Sequence, residues 1–326
     1  MLARITAALV AAVLMAPGAL AGPALLFDAA DGKVLYAEDQ DNQWRPASLT
    51  KIMTAYLVFE AIKEGKLTLE GKIAYSERAH SQEPTKVGLD VGAQLSVETA
   101  LRALIVMSAN DVAVMLAEAV AGSHEAFVAR MNATAARLGM TRSKFANANG
   151  LPAPEQVTTA RDLARLAIAV VRDYPDYARL WSMLGMSIGK RHLPTHNGLL
   201  TNYAGADGMK TGFTCDSGFN MVASATRDGH RLIAVVLGET TVGGRNLRAA
   251  NLLEHGFRKY DWTQLFPTQS IDTLPVAENA PGPMTIRQTV ISVVCGTARL
   301  AVAKVSKKGK AVAAQAQGSS NRWPPW

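Results

Sequence analysis

One stretch constrains the fold more than any other. Residues 48–63 follow Pro46, end near Gly65, and carry Ile52, Met53, Tyr56, Leu57, Val58, Phe59 and Ile62. At 3.6 residues per turn these side chains point nearly all round a helix. A surface helix has one apolar stripe, whereas a helix apolar on all sides has to be covered on all sides. The spacing therefore predicts a central, buried helix, and the rest of the chain must supply the layers around it.

Those layers can be read in turn. Residues 96–121 and 123–138 read as two more helices, the second opening at Ser123 with Phe127, Met131 and Leu138 on one face. Thr159-Ala160-Arg161-Asp162 is a capping arrangement for a helix over 163–172. After residue 205 the period changes from helical to strand. Residues 208–213, 219–226 and 231–237 read as strands, the last two joined by the turn Asp228-Gly229. Residues 24–36 read as a hairpin about Asp31-Gly32, and 247–260 as a closing helix. This order predicts an α+β domain with an antiparallel sheet, and a 48% hydrophobic content supports a sizeable core.

The termini differ from this body. Arg4, the apolar run 5–15 and Ala19-Leu20-Ala21 form a signal-peptide pattern with cleavage before Gly22. The run is shorter than the ~20 residues a span needs, so an exported, periplasmic protein is expected. The expected boundaries are 1–21 for the signal peptide, 22–262 for the main domain and 263–326 for a C-terminal extension. That extension has prolines between 267 and 283, a β-branched run over 285–305 and a Lys/Ala/Ser tail, expected to be partly disordered. A net charge of +7 fits attraction to an anionic wall polymer or lipid surface. Nucleic acid is a poor partner for an exported chain without a basic-aromatic cluster. Two cysteines, Cys215 and Cys295, exclude a disulfide scaffold and CxxC metal spacing. In an oxidising compartment they are expected to pair, closing a loop of 80 residues (295 minus 215).

Three short motifs carry chemistry. Ser48-Leu49-Thr50-Lys51 sets a hydroxyl and an amine at i and i+3, which are neighbours on a helix. A buried lysine held neutral can serve as base to a weak serine nucleophile. Ser187-Ile188-Gly189-Lys190 matches the same spacing but has no long apolar helix behind it. Ser108-Ala109-Asn110 interrupts an apolar run, where Ser and Asn also suit a helix cap. Ser319-Ser320-Asn321 matches it only in the tail. Lys210-Thr211-Gly212 lies on an expected strand, offering a cation, a hydroxyl and a close backbone approach. Each motif is weak alone. In this order, the second 60 positions after the first (108 minus 48) and the third 102 after the second (210 minus 108), they are specific.

The trio, with Asn197-Gly198-Leu199-Leu200, the stretch 207–214 and Gly218-Phe219-Asn220, resembles the low-molecular-mass penicillin-binding proteins of the D-alanyl-D-alanine carboxypeptidase family. The resemblance runs from about residue 23 to 262. It implies a helical subdomain beside a five-stranded antiparallel sheet flanked by helices, with the site between them. Two departures stand out. The family segment aligned with Asn149-Gly150-Leu151 often begins with histidine. The 64 residues after Trp262 (326 minus 262) lack the strand periodicity of the family's β-rich second domain, which leaves membrane anchoring by the family's route doubtful.

By resemblance, Ser48 is the nucleophile, Lys51 its base, and Ser108 bridges Lys51 and Lys210 to relay a proton to the departing D-alanine. Asn110 binds the substrate backbone, and the amides of Ser48 and Phe213 face the oxyanion. Lys210, Thr211 and Arg245 would receive the terminal carboxylate of a peptidoglycan stem peptide, with Gly212 letting the substrate approach the backbone closely. β-Lactam antibiotics are the expected covalent inhibitors, and no metal or cofactor is implied. The rivals are an endopeptidase on cross-links, an inert wall-binding module and a β-lactamase. The last needs a deacylating glutamate, for which Glu155, in a Pro-rich loop, is the one candidate over 126–209. The six histidines are expected at the surface or in turns, and Glu60 and Glu64 on a solvated helix face.

Overall fold

The two faces of one sheet organise the molecule. The computed structural model describes residues 22–264 and 269–290. The chain enters through strand β1 (Ala24–Asp28) and returns as β2 (Val34–Glu38); a 3-10 turn, Ala47–Leu49, then runs directly into helix α1 (Thr50–Lys63). The helical section follows: β3 (Lys72–Ala74), α2 (Glu77–His80), β4 (Gln94–Ser96), α3 (Val97–Val106), α4 (Asn110–Ala121), α5 (His124–Arg137), α6 (Ala160–Asp173) and α7 (Ala178–Trp181). The hairpin β5 (Gly185–Ile188) and β6 (Arg191–Pro194) and the short helix α8 (Leu199–Asn202) lead into β7 (Ala206–Thr214), β8 (Gly218–Arg227) and β9 (His230–Glu239). Helix α9 (Val242–Gln264) returns across the sheet, and α10 (Arg287–Val290) follows near the end of the described chain.

The main sheet has the order β2-β1-β9-β8-β7 with every neighbouring pair antiparallel, which is the expected five-stranded α+β architecture. Its period-2 pattern divides the core. Leu232, Ala234 and Val236 of β9 pack with Ala249, Leu252 and Leu253 of α9, while Ile233, Val235 and Leu237 join the larger core built on α1 and α6. Residues 50–59 of α1 are all buried, as the sequence required. Burying each large apolar side chain stabilises by roughly 1.5–3 kcal/mol. Glu60, at the end of that helix, is not on a solvated face: it accepts from Arg130 at 2.9 Å and Arg137 at 2.6 Å, tying α5 to α1.

Other sequence readings need correction. The single helix expected over 96–121 is two, α3 and α4, separated at Met107–Ala109, because Ser108 takes a left-handed φ of 62°. The apolar run on both sides hid the break. Ser96, Ser123 and Thr159 cap their helices by accepting from Thr99, Ala126 and Asp162 amides, the last two as expected. Ser187 belongs to β5 and Lys190 follows it in a turn, so that decoy motif never lies on a helix.

Beyond α9, residues 269–290 lie against the core, held by a buried arginine. Arg161, 2% exposed, donates Nε and Nη2 to the Asp41 carboxylate at 2.6 and 2.8 Å. It also donates to the carbonyls of Ile271, Leu274 and Pro275 at 2.7, 2.8 and 2.9 Å. A guanidinium has five N–H donors, and this set can engage all of them. The expected signal peptide, Cys295 and the rest of the tail lie outside the described residues.

Removing one partner of a buried ion pair leaves the other charge uncompensated, typically at a cost of ~3–5 kcal/mol. Arg161→Met is therefore expected to lower stability by about that amount, and Arg161→Lys by nearly as much because an ammonium has three donors. Urea unfolding of the three proteins checks this; a loss under ~1 kcal/mol for Arg161→Met would mean the pair adds little.

Candidate active site

The cleft lies where α1, the start of α4, β7 and α9 meet. It opens into a cavity of about 380 Å³ whose lining includes Ser48, Ser108, Asn110, Thr211, Phe213 and Arg245. Ser48 sits in the 3-10 turn heading α1, half-buried, and Lys51 lies one turn below it with no exposed surface. Lys51 Nζ is 2.9 Å from Ser48 Oγ, 2.7 Å from Asn110 Oδ1 and 2.5 Å from the Asn149 carbonyl. Three neighbours suit either protonation state. A neutral amine keeps two N–H donors for Asn110 and Asn149 and one lone pair for the serine hydroxyl.

Electrostatics favour that neutral state. Burial first, then the Lys210 charge, push Lys51 well below the usual lysine range, with Asp111 acting weakly the other way. Burial and the Arg245 guanidinium lower Lys210 to about 7, and burial lowers Arg245 to about 10. Lys210 Nζ donates to the Thr211 carbonyl at 3.0 Å, and Arg245 donates Nε and Nη2 to Asn246 Oδ1 at 3.1 and 2.9 Å. Both partners are neutral. Among the described residues no carboxylate pairs with Lys51, Lys210 or Arg245, although they are 0%, 2% and 4% exposed. Burying cations this way is costly unless an anion arrives to complete the set.

The remaining residues are positioned by backbone. β7 presses against the Ser48 turn: a Cβ on Gly212 would lie 3.0 Å from the Ser48 amide nitrogen, tighter than an ordinary contact. On the other side Gly150, at φ 86°, would drive a Cβ to 2.0 Å from the Ala47 carbonyl oxygen. Phe213 stacks on Phe219 with ring centroids 4.2 Å apart. Asn110 donates Nδ2 to the carbonyls of Glu83 and Pro84, both at 3.0 Å, which points its Oδ1 at Lys51. The next residue, Asp111, accepts from the Tyr75 hydroxyl at 2.8 Å and the Gly88 amide at 2.9 Å, fixing the loop over the cleft.

The expected motif residues are thus brought together, with one difference. Ser108 Oγ is buried without a hydrogen-bond partner among the described residues, so the bridge from Lys51 to Lys210 through it is not made. Sequence reasoning also missed two contributors. Asn149, where the family often has histidine, serves Lys51 through its backbone carbonyl, which every residue type has. His196 lines the cavity, and burial followed by the charges of Lys210, Arg245 and Lys51 lowers it to about 4. His124 is buried as well, accepting from the Ala148 amide at 3.2 Å, so neither histidine is an ordinary surface residue. Glu155 is exposed and absent from the cavity lining. Cys215 lines the cavity and is not a free thiol; its expected partner, Cys295, lies outside the described residues.

Comparison with known proteins gives the family. The model of the D-alanyl-D-alanine carboxypeptidase family, peptidase family S11, matches residues 11–241. The chain belongs to this family. D-alanyl-D-alanine carboxypeptidase DacC of Escherichia coli K12 is 40% identical over 253 residues, covering 76% of this chain and 63% of that protein. DacF of Bacillus subtilis 168 is 34% identical over 252 residues, covering 74% and 64%. The chain thus spans somewhat under two thirds of the length of these relatives. Penicillin-binding protein 5 of Haemophilus influenzae superposes with a TM-score of 0.71 at 37% identity, over 73% of this chain and 71% of that one. Penicillin-binding protein D2 of Listeria monocytogenes, solved with cefotaxime bound, does so at 0.67 and 32%, over 73% and 97%. Arg245 of this D-alanyl-D-alanine carboxypeptidase family member lies four residues past the end of the family match.

The depressed Lys210 predicts a stability effect. The folded protein binds that proton more weakly than the unfolded chain, where a lysine titrates near ~10.4. Stability therefore rises with pH between about 7 and ~10.4, the penalty being full below that window and gone above it. Lys210→Met is expected to be more stable than wild type at pH 7, by on the order of a few kcal/mol, with the gap closing towards pH 10. Urea titrations at both pH values test this; a variant less stable at pH 7 would contradict it.

Proposed function

We propose that this protein is a serine-type D-alanyl-D-alanine carboxypeptidase that removes the terminal D-alanine from peptidoglycan stem peptides. The observation that carries the reading is the 2.9 Å approach of buried Lys51 to Ser48, in one cleft with two buried basic side chains, Lys210 and Arg245, that have no carboxylate partner among the described residues. A carboxypeptidase substrate must supply a free carboxylate, and fixed cations are what bind one.

The steps follow. Ser48 Oγ attacks the carbonyl between the two D-alanines as its proton passes to neutral Lys51 Nζ. The developing oxyanion lies between the amides of Ser48 and Phe213, where each donor can lower the barrier by ~3–4 kcal/mol. Lys210, Thr211 and Arg245 hold the terminal carboxylate beside Gly212, and Asn110 the substrate backbone. The Ser108 hydroxyl, unpartnered among the described residues, gives its proton to the departing amine and takes up the one Lys51 received from Ser48, which returns Lys51 to its neutral form. Water activated by Lys51 then hydrolyses the acyl-enzyme. Residues 1–21 would direct export to the periplasm, and β-lactams would acylate Ser48 as substrate mimics. The exposed position of Glu155 speaks against efficient β-lactamase deacylation.

Incubation with a pentapeptide ending in D-Ala-D-Ala, followed by mass analysis, is expected to show loss of one alanine. An intact peptide would reject the reading, and cleavage of cross-linked dimers alone would favour an endopeptidase. Ser48→Ala is expected to abolish both D-alanine release and penicillin acylation while thermal stability survives, since α1 is held by apolar neighbours; near wild-type release would place the nucleophile elsewhere.

Arg245→Ala is expected to lower kcat/KM on peptides with a free terminal carboxylate by at least about tenfold, as hydrogen bonds to charged groups are worth ~1.5–3 kcal/mol. The loss on amide-capped substrates should be much smaller. Equal losses on both would make Arg245 structural.

A further inference from the structure

The C-terminal segment contributes to the cleft in a way the reaction above does not use. Arg287, the first residue of α10, lines the same cavity as Ser48. Its Nη1 donates to Asp216 Oδ1 at 2.9 Å, at the turn between β7 and β8. The segment does not depend on that ion pair for its position. Thr285 Oγ1 donates to the Asp216 carbonyl at 3.1 Å, Val290 is fully buried, and a Cβ on Gly218 would meet the Ile286 side chain at 2.4 Å. The pair itself is 55% and 33% exposed, the kind that contributes little and exchanges partners readily.

Direction along β7 gives this arginine its meaning. On the proposed reaction, which this inference rests on, the substrate's terminal carboxylate lies at Lys210, Thr211 and Arg245, and its scissile carbonyl beside Gly212 and Ser48. The acyl-donor part of the peptide must then continue the other way, past Phe213 and Thr214 towards Asp216. At ~3.3 Å per residue, the side chain immediately upstream of the D-alanines comes within reach of that turn. The bond to Asp216 engages Nη1 of a guanidinium that carries five N–H donors.

We propose that Arg287 is a specificity-determining residue that binds a carboxylate on the substrate's acyl-donor side, such as one at the end of the side chain preceding D-Ala-D-Ala. Asp216 acts as its resting counter-ion, and substrate competes with it.

The test compares two peptides that end in D-Ala-D-Ala and differ only upstream. One carries L-lysine, the other a diamino acid whose side chain ends in an additional carboxylate. The wild-type protein is expected to prefer the carboxylate-bearing peptide in kcat/KM by about tenfold, as one charged hydrogen bond allows. Arg287→Gln should bring the ratio near one, Arg287→Lys should keep part of it, and Asp216→Asn should raise it by removing the competing anion. The last comparison separates recognition from mere tethering: a tether would make Asp216→Asn and Arg287→Gln behave alike. A ratio near one in the wild type, or one unchanged by Arg287→Gln in protein that penicillin still acylates, overturns the proposal. If the wild type hydrolyses neither peptide, the proposed reaction fails and this inference with it.

Discussion

Basic groups buried without a carboxylate partner among the described residues are the condition to which the rest of this architecture answers. Lys51, Lys210 and Arg245 are each at least nine-tenths removed from water, and each has its proton affinity lowered by burial. Charges so placed oppose folding, because desolvating an ammonium costs several kcal/mol even in a relaxed protein. The same placement suits Lys51 to the proposed role of base and leaves Lys210 and Arg245 without an anionic partner among the described residues. Stability lost in the cleft has to be recovered elsewhere. It is recovered in α1, covered on all sides, and in a sheet with a hydrophobic core on each face.

The cleft also requires that separate elements meet at fixed distances. The hydroxyl comes from the turn before α1, the amide oxygen from the start of α4, one cation from β7 and another from α9. Close backbone approach sets these separations. Gly212 allows β7 to touch the Ser48 turn from one side, and Gly150 allows the 147–151 loop to touch it from the other. Any side chain at either position would wedge the turn away from its neighbours. Asn110 and Asp111 do the corresponding work for α4, anchoring its first turn to the 83–88 loop through carbonyls, an amide and the Tyr75 hydroxyl.

How far the sequence discloses this depends on what kind of atom does the work. Side-chain periodicity disclosed α1 and the three long strands, since burial on one face or on all faces leaves a pattern. The motif side chains Ser48, Lys51, Asn110 and Lys210 could be named because their chemistry is in the side chain. The Asn149 carbonyl could not, because a backbone acceptor leaves no mark on residue identity. The α3–α4 break was hidden because Val106 and Val112 are apolar on either side of it, and the β5–β6 hairpin because its strands have four residues each. His196 read as a turn residue; only the fold sets it beside three basic side chains.

Strain beside Ser48 and at Ser108 follows from the same geometry. Ala47, immediately before Ser48, has φ 48°, and Ser108 has φ 62°. Neither is glycine, and a left-handed non-glycine residue costs ~1–2 kcal/mol. The surrounding contacts hold both in place: the Gly150 loop and β7 confine the Ala47–Ser48 turn, and the tethered start of α4 confines Ser108. A glycine at either position would relieve the strain but also widen the range of backbone conformations available to the unfolded and folded chain. For Ser48 that freedom would loosen the 2.9 Å approach to Lys51 Nζ, the distance on which the proposed proton transfer depends. Strain here keeps a flexible turn in a single conformation, and the apolar core built on α1 is what makes it tolerable.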